Sequence, residues 1–511
     1  MNVAGGGRRL QTSAVRFARG PNGALLQWWT TRRYSLNERP VGGKTRAIKK
    51  RFKRLGTDLS NGKNPAPSLL EGSIAGHIIR LSIPASMGML FNTLYNLTDF
   101  WFAGLLSDDA LAGMSIAGSV FFLLLAAGIG IQTGTSAVIA PEAGKGRMDD
   151  VADWADQSFG LSLLLSLVVL VVGWLVADTA VVFLGAEPHI APLANQYLTV
   201  TLVGSAAFIL SFAAAGALMA LGDTKSNRNA LVVGFFVNFA LNPFLVFILD
   251  LGVAGLALAT VLIKVATAIY LFWVLARRLG RWSRPRVNWA RLWLLCQQVL
   301  PASMNTLTII LGGFISVALI GRFGSEHVAG FAVGLRLEQV LLLPALGLNS
   351  AVMAVAGQNF GAGNAERVAA AYRQGLLIGL AMAAVSIPIM VFLSPALVAL
   401  FAEGEAIRRT GAAYLRIDAI AFYGYVVLFL STALLQSLKQ PLFPMVLGIA
   451  RQLVFPASIN YLLIVVWGYP MISIFYTIVG VVIVSAITAH FYTARQLRLL
   501  GRGDQSNHSN A

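Results

Sequence analysis

Long apolar runs recur along the chain from about residue 80 to residue 493. Each run is about 20 residues long, the length that an α-helix needs to cross the hydrocarbon core of a membrane. We predict twelve spans, near residues 80–104, 113–139, 157–183, 193–221, 230–249, 253–276, 298–320, 329–356, 374–401, 411–437, 442–466 and 470–493. The pattern therefore predicts an all-α polytopic membrane protein.

Basic residues between the spans are distributed unevenly, and this sets the predicted orientation. With the N-terminus in the cytoplasm, the inner connections receive most of the Lys and Arg residues, whereas the outer connections receive only Arg322, Arg408 and Arg409. Cytoplasmic loops of membrane proteins carry such an excess of positive charge. We therefore expect both termini to lie in the cytoplasm. As a separate expectation, the membrane is the inner (plasma) membrane of a bacterium.

The chain contains an internal repeat, in which IPASM at 83–87 aligns without gaps with LPASM at 300–304. In this alignment 17 of the 68 positions between 84 and 151 are identical, and we call the paired residues repeat counterparts. Each half contains six spans, so both halves insert in the same direction and are related by an axis along the membrane normal. We predict two six-helix bundles, as in transporters that rock one bundle against the other around a central site.

The predicted division of the chain follows these patterns. We expect a basic cytoplasmic tail at 1–75, an N-terminal bundle at 76–276, a basic linker at 277–297, a C-terminal bundle at 298–495 and a cytoplasmic tail at 496–511.

The segment 1–66 carries 15 Lys and Arg residues against only Glu38 and Asp58. A disordered solvated tail, a start codon assigned too far upstream and an organellar presequence are all compatible with this composition. The run KTRAIKKRFKRL at 44–55 is suited to anionic lipid. Nucleic-acid binding is not expected, because the tail has no recognisable binding fold and the remainder is membrane.

Composition argues against an enzyme. The chain is 57% hydrophobic and 12% charged, with a mean hydropathy of +0.71. It has one cysteine, Cys296, and lacks the GxxxxGK, HExxH and GxSxG motifs. Its five histidines fall near span ends or in the tails. We expect no cofactor and no bound metal other than a coupling ion.

A polar stripe on the first span is the leading candidate site. Asn92, Tyr95, Asn96 and Asp99 follow the spacing of one helical face, and such a face must contact protein or water rather than lipid. An apolar environment favours the uncharged form of a carboxylate, so we expect Asp99 to take up and release a proton. The alternative is that Asp99 only joins helices through hydrogen bonds.

Other polar residues within the spans extend this candidate site. Asn238 and Asn242 share one face of the fifth span, where Pro243 frees backbone groups, and an interhelical amide contact is the alternative role. Lys264, in the sixth span, needs a partner: Asp99, or an anionic group of the substrate. It is also a second candidate proton carrier. Gln132 is a weaker candidate for the cavity wall.

The second half offers a different set. Arg336 and Glu338 lie two residues apart in the eighth span, so we expect them to face different surroundings. Glu338 is a candidate for ion coupling, and Asp418 for the cavity wall, with a solvated or salt-bridged position as the alternative for Asp418. For Arg451 we expect a structural ion pair.

Three segments together resemble the multidrug and toxic compound extrusion (MATE) family, and most closely its DinF-like branch. They are PASMGMLFNTLYNLTDFWFAGLLSDDALAG at 84–113, FVNFALNPFLVFILDLGVAGLALAT at 236–260 and GLRLEQVLLLPALGLNSAVMAVAGQNFGAGN at 334–364. The resemblance implies two bundles around a central cavity, and export of organic cations or other amphiphiles in exchange for H⁺ or Na⁺.

The resemblance also bears on individual residues. It implies that Asp99 is a coupling-ion site of the N-terminal bundle, with Na⁺ near Asp99 and Asn238 as one possibility. Relatives in the DinF-like branch often have an aspartate where this chain has Asn242, and an amide cannot carry a proton. Glu338 matches an acidic position common in that branch.

The combined expectation is a monomeric secondary active exporter of small amphiphilic or cationic substrates, surrounded by membrane lipid. A flippase for lipid-linked sugars is the alternative within transport, although such a protein is expected to have more central basic residues. The alternative outside transport is a membrane scaffold protein, but a scaffold gives no reason for the internal duplication.

Overall fold

The computed structural model describes residues 69–508 of the 511-residue chain. Apart from residues 69–75, the predicted basic tail lies outside the described residues. Eleven helices in the described part are long and apolar enough to cross a membrane, and one bent pair of helices brings the number to twelve. The predicted all-α fold with twelve spans is confirmed.

We number the spans in chain order. They are α1 Ile74–Leu106, α2 Asp108–Gly144, α3 Met148–Phe183, α4 Ala191–Val203 with Ser205–Ala220, α5 Lys225–Ile248, α6 Gly252–Leu279, α7 Trp289–Phe323, α8 Ser325–Gly361, α9 Ala365–Phe392, α10 Glu405–Ser437, α11 Leu442–Val466 and α12 Ile472–His508. A short helix, Ser394–Ala399, lies between α9 and α10.

Most of the helices extend further than the apolar runs at one or both ends. The predicted linker 277–297 is largely helical, because α6 continues to Leu279 and α7 begins at Trp289, so the connection itself is 280–288. The predicted tail from residue 496 likewise continues α12 as far as His508. Hydropathy detects the segment in lipid, whereas a helix also includes turns in the headgroup region.

Two spans depart from regular α-helix at glycine or proline. The fourth span bends by 51° at Gly204, where an added Cβ would overlap the side chain of Val261 on α6. Pro243 in α5 precedes a π-helical turn, Phe244–Ile248. Proline lacks an N–H and clashes with the preceding turn, so the helical hydrogen-bond pattern shifts there.

The span α11 contains two π-helical segments, Ala450–Val454 and Tyr461–Val466, on either side of a short α-helical stretch. π-Helical segments are rare in proteins, and those that occur are often found at functional sites.

Successive spans run in opposite directions, so their connections lie alternately on two faces of the bundle. We call the face that carries loops 145–147, 221–224, 280–288, 362–364 and 438–441 the basic face, because its loops and adjoining helix ends hold the clustered Lys and Arg residues. The other face carries loops 184–190, 249–251, 393–404 and 467–471 and is called the opposite face.

The two halves exchange the starts of their first helices. Ile78 and Leu81 of α1 pack in a cluster formed mainly by the C-terminal half, and Leu295 and Val299 of α7 pack in the core of the N-terminal half. Ile78 and Leu295 are both 0% exposed and are repeat counterparts, so the exchange follows the internal repeat.

The halves are sealed together at the basic face by α2 and α8. All residues from 134 to 142 and from 350 to 359 are buried, whereas the ends of α2 and α8 nearer the opposite face are partly exposed. A Cβ on Gly144 would overlap the carbonyl oxygen of Gln358, and one on Gly361 would overlap that of Pro141. The two contacts are repeat counterparts, which gives the crossing approximate twofold symmetry.

Candidate functional site

A hydrogen-bonded cluster forms around Asp99 where α1, α5 and α6 meet. Asp99 is 2% exposed, and its Oδ1 accepts from Asn238 Nδ2 and Asn242 Nδ2, each at 2.8 Å. Its Oδ2 accepts from the Thr260 hydroxyl at 3.0 Å. Both carboxylate oxygens therefore have donors, which is the condition for keeping a carboxylate away from water.

Two buried oxygens beside this cluster lack hydrogen-bond partners within the described part of the chain. They are the Tyr95 hydroxyl and the Asn242 Oδ1. Buried polar atoms without partners are rare in folded proteins and call for a ligand, an ion or a water. With the carboxylate of Asp99 and the amide oxygens of Asn238 and Asn242, the residues present suit a small monovalent cation or a proton.

Lys264 lies one helical turn after Thr260 on α6, but its ammonium faces aromatic rings. The Nζ is 6.0, 5.7 and 5.9 Å from the ring centroids of Tyr95, Phe208 and Phe212. Within residues 69–502, no carboxylate oxygen lies within 4.0 Å of it, so Asp99, one of the two partners expected for Lys264, forms no direct ion pair with it. Asp99 acts on Lys264 only as a more distant charge.

The predicted polar stripe on α1 is divided. Tyr95 and Asp99 are buried, Asn92 is partly buried and Asn96 is exposed. At about 100° per residue, Asn96 lies on the far side of Asp99 from Tyr95, about 100° away from that ring. Gln132 is partly buried on α2 and makes no hydrogen bond to the cluster around Asp99. On α1, the structure therefore buries Tyr95 and Asp99 and leaves Asn96 at the exposed edge of the same face.

The C-terminal half holds a second pair of buried acids, each bonded to a tyrosine of α10. Glu338 accepts a hydrogen bond from the Tyr414 hydroxyl, and Asp418 Oδ1 accepts from the Tyr425 hydroxyl at 3.1 Å. Glu338 is 4% and Asp418 1% exposed, so a solvated or salt-bridged position for Asp418 is wrong. Its Oδ2 has no partner among residues 69–502.

Two arginines near this pair differ from each other. Arg336 is exposed and lies on another face of α8 from Glu338. Arg451 is buried in a π-helical segment of α11 and interacts electrostatically with Glu338 and Tyr425. No carboxylate of the described residues lies within 4.0 Å of its guanidinium, so the expected direct ion pair is not formed.

The repeat counterpart of the Asp99 site has lost its charge. Ser316 takes the place of Asp99 and donates to the Gly312 carbonyl. Asn460, which precedes a π-helical segment as Asn242 does in α5, is 0% exposed. Neither polar atom of its side chain has a partner in the described part of the chain. The C-terminal half thus retains polar residues here without a carboxylate.

The sequence interpretation missed Thr260, Tyr414 and Tyr425. Thr260 is four residues before Lys264, and Tyr414 is four residues before Asp418, so each shares a helical face with an ionisable residue. That spacing is the signal that points to Thr260 and Tyr414. No comparable signal singles out Tyr425.

Comparison with known proteins agrees with this architecture. The MatE family model matches residues 84–244 and 301–462, one match in each half of the repeat. The chain is 25% identical over 301 residues to "Probable multidrug resistance protein YpnP" of Bacillus subtilis, covering 58% of this chain and 68% of that protein. It is 27% identical over 401 residues to the "FAD transporter" of Shewanella oneidensis, covering 75% and 86% respectively.

Solved structures give the same result for the fold. A structure described as the "Outward-facing conformation of a multidrug resistance MATE family transporter of the MOP superfamily" matches with a TM-score of 0.80 at 25% identity, covering 86% of this chain and 99% of that one. A transporter from Pyrococcus furiosus Vc1, whose description concerns reverse polarity of the binding pocket, matches with the same score, identity and coverage.

Proposed function

Since the chain belongs to the MatE family of multidrug transporters, we propose that it exports small amphiphilic cations in exchange for H⁺ or Na⁺ bound at Asp99. The observation that carries this proposal is a buried carboxylate held by side chains of two other helices, beside two oxygens without partners among the described residues. An ionisable residue within a membrane span is expensive and marks an ion pathway by default.

Binding of the coupling ion changes the hydrogen bonds of this cluster. The ionised Asp99 accepts from Asn238, Asn242 and Thr260, so it joins α1 to α5 and α6. A proton on Asp99 converts one of its oxygens from an acceptor into a donor, and Na⁺ requires the amides to turn their oxygens inward. Either event alters the contacts between the three helices and thereby couples ion binding to helix movement.

One carboxylate serves the N-terminal bundle. Asn242 occupies the place where a second acid would stand, and an amide can ligate an ion but cannot carry its charge. A cation at this site therefore neutralises Asp99 alone. Glu338 and Asp418 are candidates for a separate event in the C-terminal half, because both are buried and interact electrostatically.

The seal between the halves supports a mechanism of alternating access. In this conformation α2 and α8 are buried at the basic face and partly exposed toward the opposite face. If the basic face is cytoplasmic, the protein is closed to the inside, which is the arrangement of its structural relative in the outward-facing conformation. The transport cycle then requires a second state in which this seal opens.

Cationic cargo is favoured by the aromatic rings around Lys264. Tyr95, Phe208 and Phe212 already surround an ammonium group, and rings in this arrangement recognise organic cations. The relative named as an FAD transporter makes an anionic aromatic cargo the second candidate. The lipid-linked sugar flippase is less well supported, because Lys264 is the only basic residue in the described cluster around Asp99.

Transport by purified protein in liposomes tests this function. Efflux of a cationic dye and of FAD is measured with a pH gradient and a Na⁺ gradient imposed separately, for the wild type, for Asp99→Asn and for the exposed control Asp109→Asn. We expect one gradient to drive dye transport by the wild type and the control, and Asp99→Asn to lose gradient-driven transport. Full coupled transport by Asp99→Asn would refute the assignment.

A further inference from the structure

The backbone that leads into α1 is held by the C-terminal half. The Arg367 guanidinium donates to the Gly72 carbonyl at 3.1 Å and to the Leu69 carbonyl at 3.3 Å, and its Nε donates to Asn359 Oδ1 at 2.9 Å. Asn359 Nδ2 also donates to the Leu69 carbonyl, at 3.2 Å. We call these contacts the α1 latch.

The start of α7 is held in a reciprocal manner by α3 of the N-terminal half. Gln157 Oε1 accepts from the Asn288 backbone N–H at 2.9 Å, and the Arg291 guanidinium lies 3.5 Å from Asp153 and 4.0 Å from Asp150. We call these contacts the α7 latch.

The two latches occupy equivalent places in the repeat but use opposite charges. Arg367 in the first turn of α9 is the repeat counterpart of Asp150 in the first turn of α3. Arg367 captures carbonyl oxygens that precede α1 and have no partner within that helix. Asp150 and Asp153 capture a guanidinium at the start of α7. Both halves therefore hold the start of the facing first helix at equivalent positions, one through an arginine bound to carbonyl oxygens and the other through carboxylates bound to an arginine.

The start of α1 is tied to both halves, so opening of the seal must break either the α1 latch or the tie to the N-terminal half. The Thr224 hydroxyl, in the loop before α5, donates to the Leu81 carbonyl at 2.9 Å, so the same end of α1 is also tied to the N-terminal half. When the halves separate at the basic face, one of these two ties must break. Leu81 is within the helix and Thr224 is buried, whereas the α1 latch includes a partly exposed arginine bound to non-helical backbone.

We call the seal that α2 and α8 form at the basic face the basic-face gate, and we propose that the α1 and α7 latches hold this gate closed. This rests on the alternating access of the proposed function. The α1 latch fastens the backbone before α1 to α9, whereas Leu81 of the same helix is tied to the N-terminal half, so loss of this latch in the open state would hold the conformational equilibrium toward closure of this face. The α7 latch is assigned the same role because it occupies the equivalent place in the repeat. Contacts present in only one of two states shift the population by their differential free energy.

A buried cysteine at the seal reports the opening of the gate. Ser437 is 1% exposed and lies near the crossing of α2 and α8, where its Cβ is 3.7 Å from a Cβ placed on Gly357. Ser437→Cys is placed in a Cys296→Ser background, because Cys296 is the only native cysteine. The rate of thiol labelling from the basic face then measures the fraction of molecules with an open gate.

Two latch variants are compared with matched controls in reconstituted protein. Arg367→Ala is paired with Arg373→Ala, an exposed arginine of the same helix, and Arg291→Gln is paired with Arg284→Gln, an exposed arginine of the linker. Loss of a hydrogen bond to a charged group corresponds to about tenfold or more in an equilibrium constant, so we expect each latch variant to label about tenfold faster. Both controls should label at the wild-type rate.

The chemistry of each latch predicts a further difference. Salt screens the partly exposed Arg291–Asp153 pair, and also the pairs of Asp153 with Arg281 and Arg286, which remain in Arg291→Gln. Labelling should therefore rise with salt in the wild type and Arg367→Ala, and less steeply in Arg291→Gln. Arg367→Lys keeps the charge with fewer donors and should fall between the wild type and Arg367→Ala, which tests the proposal even if alanine impairs folding. If the Ser437→Cys thiol reacts but both latch variants label at the wild-type rate, the proposal that the latches hold the gate closed is overturned.

Failure of the proposed function gives a different result. If the probe in the wild type stays unreactive under every ion gradient and cargo while transport proceeds, the seal does not open during the cycle, and alternating access at this face is wrong.

Discussion

A single buried carboxylate makes the N-terminal half chemically different from the C-terminal half. Taking Asp99 out of water is costly, and donors on α5 and α6 offset that cost for the ionised form. The corresponding residue of the second half is Ser316, an uncharged residue whose hydroxyl donates a hydrogen bond to the Gly312 carbonyl. Because the second half has the same helix without the carboxylate, the ion coupling that we propose at this position involves one half only.

Lys264 gives the sharpest prediction for the choice of cargo. Lys264→Met keeps a long side chain but removes the ammonium that now interacts with Tyr95, Phe208 and Phe212. A cation–π contact contributes about 0.5–2 kcal/mol, so we expect the half-saturating concentration of a cationic dye to fall about 2- to 30-fold when the rings become free. Transport against dye concentration in liposomes measures this change.

Lys225→Met, at an exposed lysine that begins α5, is the control and should leave the dye concentration curve unchanged. Loss of FAD transport in Lys264→Met without any gain for the dye would contradict the prediction, and it would make Lys264 the receptor for an anionic cargo.

Residue spacing predicts part of the Asp99 cluster and fails for the remainder. Asn238 and Asn242 are identifiable because amides four residues apart before a proline are conspicuous in an apolar helix. Thr260 is not, because threonine is common in membrane helices and commonly bonds to its own backbone. Periodicity gives the face on which Lys264 lies but not the direction of its long side chain, so it does not decide between the two partners expected for Lys264, of which Asp99 is not directly paired with it.

At the scale of elements, the crossing of α2 and α8 depends on glycine. The backbones approach so closely at Gly144 and Gly361 that any side chain would meet a carbonyl oxygen of the facing helix. Small residues allow such approach in membrane proteins, where packing rather than the hydrophobic effect holds helices together. This crossing is also the seal between the halves at the basic face.

Substitution of either glycine by alanine should therefore open or weaken the seal. We expect Gly144→Ala and Gly361→Ala each to destabilise the folded protein by about 1–3 kcal/mol, the usual cost of overpacking. Gly480→Ala on α12, where an added Cβ meets nothing within 4 Å, is the control. It should be neutral or stabilising by up to about 1 kcal/mol, because alanine favours the helix.

Thermal unfolding in detergent distinguishes these variants, and labelling of Ser437→Cys shows whether the seal itself has loosened. An unfolding temperature for Gly144→Ala and Gly361→Ala equal to that of Gly480→Ala would show that α2 and α8 are not closely packed.

The number and type of the spans are predictable from hydropathy, but their ends are not. Most helices continue beyond their apolar runs, although α11 has the predicted bounds and α9 ends at Phe392, before the predicted end at 401. Several helices begin where a polar side chain caps the first turn. Ser107 accepts from the Ala110 N–H at 3.0 Å before α2, and Asn364 accepts from the Arg367 N–H at 3.0 Å before α9. The bend at Gly204 depends on how closely α6 approaches, which is a tertiary contact that a single apolar run does not encode.

At the scale of the whole molecule, the halves are interlocked rather than simply adjacent. The start of α1 is packed in the C-terminal half and the start of α7 in the N-terminal half. Sequence duplication predicts two bundles but places each first helix wholly within its own bundle. The exchange requires contacts between residues that lie in different halves of the chain, and these are visible only once the helices are assembled.

The orientation of the whole molecule decides what the present conformation means for transport. Loops of the basic face and the helix ends beside them carry the clustered arginines, so by the positive-inside rule we expect that face to lie in the cytoplasm. In a Cys296→Ser background, Glu187→Cys in loop 184–190 should react with a membrane-impermeant maleimide in intact cells. Arg284→Cys in loop 280–288 should react only after the cells are permeabilised.

The two cysteines control for each other, because both replace charged residues in exposed connections on opposite faces. The expected pattern means that the sealed end faces the cytoplasm, so cargo leaves the cell from the state described here once the coupling ion binds. The reverse pattern would mean that this state accepts cargo from the cytoplasm, and the latches would then close the outer gate. Labelling of both residues in intact cells would contradict the alternating topology of the twelve spans.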